Sequence, residues 1–96
     1  LKVKVRYFTI LRELTGFMEE TFELKNDICL EDLIETIASK YGEKASQYLY
    51  VDEKHKTINP IIRFLINGRD VNTFQGLKTK LKDGDIVAIV PPVGGG

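Results

Sequence analysis

Five consecutive apolar residues, Ile86-Val87-Ala88-Ile89-Val90, run without a break into Pro91-Pro92. The run is mostly β-branched and follows the turn Asp83-Gly84-Asp85, a pattern that predicts a central, buried strand. Proline has no N–H to give a sheet ladder, so the strand has to stop at Val90. A proline pair favours an extended polyproline II exit. Beyond Val93 only Gly94, Gly95 and Gly96 follow. A core strand therefore feeds a stiff exit and then a thread without side chains, with a reach of about 20 Å from Pro91 to Gly96 at full extension. Glycine tolerates close approach from every side and either sign of φ. The division this predicts is a folded domain over residues 1–90 and an extended tail over residues 91–96.

Size and charge narrow what the folded part can be. The 96 residues suit one domain with a core that needs no staples. Fourteen basic residues balance 14 acidic ones, which argues against bulk binding of nucleic acid or an anionic membrane. One cysteine excludes an internal disulfide, and with a single histidine it cannot build an ordinary zinc site, so no metal is expected. No stretch approaches the ~20 apolar residues that span a bilayer, and the N-terminus lacks a signal-peptide core. A cytoplasmic location is the expectation. The start at Leu1 leaves room for a lost initiator methionine.

The rest of the chain supplies partners for the last strand. Lys2 to Thr9 alternates, with Val3, Val5 and Tyr7 on one face and Lys2, Lys4 and Arg6 on the other; this is a half-exposed strand. Phe8 puts an aromatic on the polar face. Ile10 to Leu14 predicts a short helical segment closed by Thr15-Gly16, and Met18 to Leu24 a second strand, with Phe22 and Leu24 facing inward. Leu30 to Tyr41 carries the strongest helical signal: Leu30, Leu33, Ile34, Ile37, Ala38 and Tyr41 form one stripe. Acidic residues crowd its start, Lys40 its end, and Gly42 terminates it. Ala45, Tyr48, Leu49 and Val51 suggest a second short helix, and Asp52 to Lys56 a charged loop. Ile61 to Ile66 predicts a strand, Asn67-Gly68 a tight turn, Arg69 to Asn72 a short edge strand, and Thr73 to Leu81 a turn of helix limited by Gly76. If the first and last strands are neighbours they run parallel, with one helix covering one face. That is an α+β, β-grasp (ubiquitin-like) arrangement, a mixed sheet packed on one main helix.

Phe8, Leu65 and Val90 are expected together on the sheet face away from the helix, an apolar patch rimmed by Lys2, Lys4, Arg6 and Arg63 that suits a partner-binding surface. Cys29 is expected to be packed or to cap the main helix rather than to react. His55 has no second ligand beside it. Lys78, Lys80 and Lys82 form a small basic cluster whose default is a solvated face.

Three stretches carry a family resemblance: Val3-Lys4-Val5-Arg6-Tyr7-Phe8 with Leu11-Arg12-Glu13-Leu14-Thr15-Gly16; Leu65-Ile66-Asn67-Gly68-Arg69-Asp70-Val71; and Leu81 through Gly96. The chain resembles the MoaD-like sulfur carriers, that is, the small subunit of molybdopterin synthase and its archaeal ubiquitin-like relatives. The family ends in a PPV-x-GG pattern; here x is Gly94, and Gly96 takes the final position. The resemblance covers essentially the whole chain except Glu43 to Pro60. It implies that a MoeB-like, ATP-dependent activating enzyme adenylates the Gly96 carboxylate, and that a sulfur donor then displaces AMP to leave a C-terminal thiocarboxylate. A MoaE-like large subunit would receive the tail, with this chain a monomer alone or part of a heterotetramer. ATP is used by the activating enzyme, and no cofactor is bound here. Gly94, Gly95, Pro91 and Pro92 would shape the tail, and the glycines would slip into a narrow pocket. The chain shows no nucleophile–base pair of its own, so it is expected to be a carrier and not an enzyme alone. Protein modification through an isopeptide bond, sulfur delivery for tRNA or thiamine thiolation, and a passive β-grasp interaction module stay open at this point.

Overall fold

The structure, a computed structural model, describes residues 1–92. Strand β1 (Lys2–Tyr7) and strand β7 (Ile86–Val90) lie side by side and parallel, with Val5 opposite Val87 and Tyr7 opposite Ile89. On its other edge β1 pairs antiparallel with β2 (Glu19–Glu23), and β7 pairs antiparallel with β5 (Arg63–Ile66), which turns into the two-residue β6 (Arg69–Asp70). The sheet order is β2-β1-β7-β5-β6, so β7 occupies the centre, as its apolar run and the proline stop require. Only one face is covered, however. Val87 and Ile89 are buried while Ile86, Ala88 and Val90 are half-buried, so an unbroken apolar run did not mean burial on both faces.

The covering layer is α2 (Leu30–Tyr41), with the limits its periodicity predicts. Leu30, Leu33, Ile34 and Ile37 are fully enclosed against Val3, Val5, Tyr7, Val87 and Ile89. Burial of each such side chain contributes roughly 1.5–3 kcal/mol, and a charge at Ile34 would lose that and strand an unpaired ion in the core. Gly42 ends α2 at φ +85 and begins α3 (Glu43–Leu49): its N–H donates to the Ala38 carbonyl at 2.9 Å, and its own carbonyl accepts from Ser46 at 3.0 Å.

Several elements depart from the sequence pattern for local reasons. Between β1 and β2 lies α1 (Thr9–Thr15), closed by Gly16 in the left-handed region at φ +80. After α3 the chain makes a small antiparallel hairpin, β3 (Tyr50–Asp52) and β4 (Thr57–Ile58). Val51 thus belongs to a strand and not to a helix, and the charged segment is the hairpin's turn. Leu24 lies just past β2 and is half-buried against the core. Ile61 is left out of β5 and exposed, since the Ile61 and Ile62 N–H groups turn back onto Asn59. The expected edge strand over Arg69 to Asn72 stops at Asp70, whose carboxylate accepts from the Asn72 N–H at 2.9 Å. That bond bends the chain into a 3₁₀ turn (Val71–Thr73), and a second one (Gly76–Lys78) replaces the helix expected over 73–81.

Candidate functional site: the root of the C-terminal tail

The final strand is held on both sides up to its last residue. Ile89 is opposite Tyr7 of β1, and Val90 is opposite Arg63 of β5. Pro91 is half-buried and Pro92 exposed. The tail therefore leaves a rigid platform at a defined point, because the central strand is the one least free to fray. Gly94, Gly95 and Gly96 lie outside the described residues.

The open face of the sheet brings the expected patch together. Leu65 is opposite Ala88, one step along from Arg63 and Val90. Phe8 continues the outward series Lys2, Lys4, Arg6 with an extended backbone (φ −131, ψ 151), and the β1–β7 register carries it to the level of Val90. Phe8, Leu65 and Val90 are all half-buried. The charges around them fall into two groups. Towards β2 they are neutralised: Lys2 meets Glu23 at 3.8 Å, and Lys4 and Arg6 both meet Glu19 at 3.3 Å. At the tail end, Arg12 lies over the Phe8 ring at 5.7 Å. Neither Arg12 nor Arg63 has a carboxylate within ion-pair distance among the described residues. The basic cluster further along is largely spent inside the molecule, with Lys78 on Glu31 at 2.5 Å and Lys80 on Asp27 at 2.8 Å.

One polar cluster behind the platform was not evident from the sequence. Glu20 shares the inward parity of Phe22, and its carboxylate accepts from Tyr7 Oη and Tyr41 Oη, each at 2.7 Å, and from Lys40 Nζ. Burial pushes this carboxyl up, but the hydrogen bonds from Lys40, Tyr41 and Tyr7 outweigh it, and the net direction is down. Burial first, and then the bond to Glu20, raises Tyr7 strongly and pushes Tyr41 up to about 12. The cluster fastens β1, the neighbour of β7, to the last turn of α2. An acidic residue on a core-facing parity, beside a strand and a helix that each offer a tyrosine, is the signal that could have found it.

Other candidates are structural. Cys29 is buried, and its thiol donates to Asp32 Oδ2 at 3.1 Å. Burial first, and that bond second, push the thiol up, the opposite of what a reactive cysteine needs. His55 meets Asp52 at 2.8 Å across the hairpin turn and is exposed. Among the described residues no group of three His, Cys, Asp or Glu could hold a metal ion, and no helix is long and apolar enough to cross a membrane.

A mixed five-stranded sheet grasping one main helix, with Pro91 and Pro92 leaving its central strand, defines a ubiquitin-like β-grasp protein. The sequence matches the ThiS family model over residues 5–96, and the chain belongs to that family. It is 36% identical over 96 residues, all of both chains, to the molybdopterin synthase sulfur carrier subunit of Chlamydomonas reinhardtii. It is 29% identical, again over the whole of both, to small archaeal modifier protein 3 of Haloferax volcanii. Its fold superposes on the solution structure of small archaeal modifier protein 1 from Methanosarcina acetivorans with a TM-score of 0.81, at 33% identity, covering 99% of this chain and 96% of that one. The MoaD-like resemblance thus stands, and the chain is a member of the sulfur-carrier and ubiquitin-like modifier group, a non-catalytic carrier and not an enzyme by itself.

Proposed function

We propose that this chain is the sulfur-carrying small subunit of a molybdopterin synthase, acting in the cytoplasm. The observation that carries the reading is a full-length likeness to a molybdopterin synthase sulfur carrier subunit that runs through the terminal glycines. It is joined to a tail root pinned in the middle of the sheet. In the proposed cycle a MoeB-like activating enzyme binds ATP. The Gly96 carboxylate attacks the α-phosphorus, pyrophosphate leaves, and the carboxyl becomes an acyl adenylate. A sulfur donor at the oxidation level of sulfide then attacks the acyl carbon; the C–S bond forms, the bond to AMP breaks, and a thiocarboxylate results. The carrier contributes position, not acid–base chemistry: Pro91 and Pro92 lower the ordering cost of insertion, and Gly94 and Gly95 let the acyl carbon enter a narrow pocket. A MoaE-like large subunit then takes the tail, and Phe8, Leu65 and Val90 form the ground on which the partners sit.

Incubation with ATP, the activating enzyme and sulfide should raise the intact mass by about 16 Da, one oxygen exchanged for sulfur in an acyl transfer. Deletion of Gly96 should abolish the gain and leave the melting temperature unchanged. No gain with an enzyme proven on another carrier would defeat the proposal. The likeness to small archaeal modifier proteins favours a second reading, in which Gly96 is joined to substrate lysines. Recovery of lysine peptides branched with Gly96 from cells would select it. Copurification with a large subunit that makes molybdopterin would select the first.

A further inference from the structure

Among the exposed large apolar side chains are three from one short stretch beside the tail root: Ile10 at 49% exposure, Phe17 at 49% and Met18 at 65%. They are held there by the fold. The Met18 carbonyl accepts from the Tyr7 N–H at 2.9 Å, on the side of β1 opposite Ile89. Two strand spacings, about 10 Å, therefore separate the Met18 backbone from the strand that carries the tail. The α1 helix follows directly on Phe8 and is anchored by its buried residues Leu11 and Thr15, which leaves Ile10 on its outer side. On the other flank Arg63 is one spacing from Val90. Arg12 and Arg63, neither of which has a carboxylate within ion-pair distance among the described residues, bracket the same point.

The tail's length identifies what covers this ground. From Pro91 the thread reaches about 20 Å at most. Any protein that encloses Gly96 in a pocket of useful depth must bring the pocket's mouth within roughly 10 Å of the root. A specific interface buries about 800 Å² on each partner, so the receiving protein has to lie over the surface around Val90. We propose that Ile10, Phe17 and Met18, flanked by Arg12 and Arg63, form a second docking surface. It adjoins the open sheet face, whose rim supplies Arg63, and is used by the ATP-dependent activating enzyme that takes in the tail. That protein presents apolar ground bordered by carboxylates around the mouth of its pocket. The apolar residues slow dissociation, while the guanidiniums speed encounter and set the salt dependence. The inference rests on the carrier reading above.

The test uses the purified full chain and its ATP-dependent activating enzyme, with ATP–pyrophosphate exchange followed against carrier concentration. The double variant F17S/M18S should raise the KM for the carrier about tenfold or more with kcat retained at saturation, the range expected for truncating central interface anchors. Arg63→Glu should raise KM and flatten its dependence on salt. Val51→Ser, an equally exposed apolar residue on the β3–β4 hairpin, should leave KM where it is. Melting temperatures of all variants should match the parent, since each side chain is exposed or on the surface. Exchange by the parent chain with no change of KM in F17S/M18S overturns this docking surface and leaves the carrier reading intact. Absence of exchange by the parent chain itself overturns the carrier reading, and the docking surface with it.

Discussion

Tyr7 and Tyr41 meet edge to face, ring centroids 6.5 Å apart at 82°, and both hydroxyls donate to the same oxygen of Glu20. Tyr7 comes from β1 and Tyr41 from the last turn of α2, so one carboxylate joins the sheet to its covering helix. Glu20 is only 10% exposed in its side chain, and Tyr7 is fully buried. Glu20→Ala leaves a buried hydroxyl without an acceptor and should cost about 2–3 kcal/mol, the range for lost hydrogen bonds to a charged group. Glu20→Gln keeps an acceptor oxygen and should cost about half as much. Urea unfolding of both variants measures the difference. Equal costs would mean that the cluster's packing matters and its hydrogen bonds do not.

The same cluster sets two pH limits. Glu20 is held below its ordinary value of 4.5 when folded. Its stabilisation is therefore complete above that value and is lost as pH falls through the folded pKa. Tyr7 and Tyr41 are raised above their ordinary 10.0, Tyr41 to about 12. Their contribution is complete below pH 10 and declines as pH rises towards 12 and beyond. Melting temperature should thus be level between about pH 5 and pH 9 and fall on either side. In Glu20→Gln the acid fall should be shallower than in the parent, the remainder coming from groups such as Asp32, whose pKa is lowered by its bonds from the Cys29 N–H and thiol. An unchanged acid limb would show that Glu20 does not carry this linkage.

Periodicity makes the main layers legible in the sequence. The stripe from Leu30 to Tyr41 needs one apolar partner, the alternation of Val3, Val5 and Tyr7 supplies it, and the proline stop after Val90 places the last strand. What stayed hidden depended on single polar contacts between distant positions. Asn67-Gly68 read correctly as a turn, with both residues at positive φ (+52 and +82). Nothing in the dipeptide announces that the Asn67 side chain also donates to buried Asp85 at 3.0 Å and accepts from the Ile86 N–H at 2.9 Å. The β3–β4 hairpin is not legible in the sequence because two- and three-residue strands carry no period to read. For the site, Phe8, Leu65 and Val90 follow from strand parity alone. Ile10, Phe17 and Met18 do not, since their exposure depends on how α1 is seated.

Asn67 can be tested on that hidden role. Asn67→Gly keeps the positive φ at no steric cost but removes both side-chain bonds. Asn67→Ala removes the bonds and adds backbone strain. Chemical unfolding should find Asn67→Gly destabilised by about 1–2 kcal/mol and Asn67→Ala by about 1 kcal/mol more. A glycine variant as stable as the parent would assign Asn67 to the turn alone.

Cys29 should behave as a packed residue. At pH 8 the folded protein should alkylate with iodoacetamide far more slowly than the urea-unfolded chain, because the thiol is buried, bonded to Asp32 and raised in pKa. Cys29→Ser should fold normally, since a hydroxyl serves at a helix N-cap. Rapid labelling of the folded chain would contradict the enclosure seen here.

Phe64 and Leu65 are adjacent in β5 and point to opposite faces of the sheet, Phe64 into the core and Leu65 onto the open face. The pair separates folding from docking within one strand. Phe64→Ala opens a cavity in the core and should cost about 3–5 kcal/mol. Leu65 has no covering layer and loses much less on truncation, about 1 kcal/mol, from its contact with the neighbouring strand. If the open face receives a partner, the ranking reverses in a binding measurement. Leu65→Ala should weaken capture by the activating enzyme several-fold at a temperature where it is fully folded. Phe64→Ala, assayed at a temperature where it is still folded, should bind nearly as the parent does. A Leu65→Ala variant that loses several kcal/mol of stability while keeping its affinity would assign the residue to the fold and withdraw it from the interface.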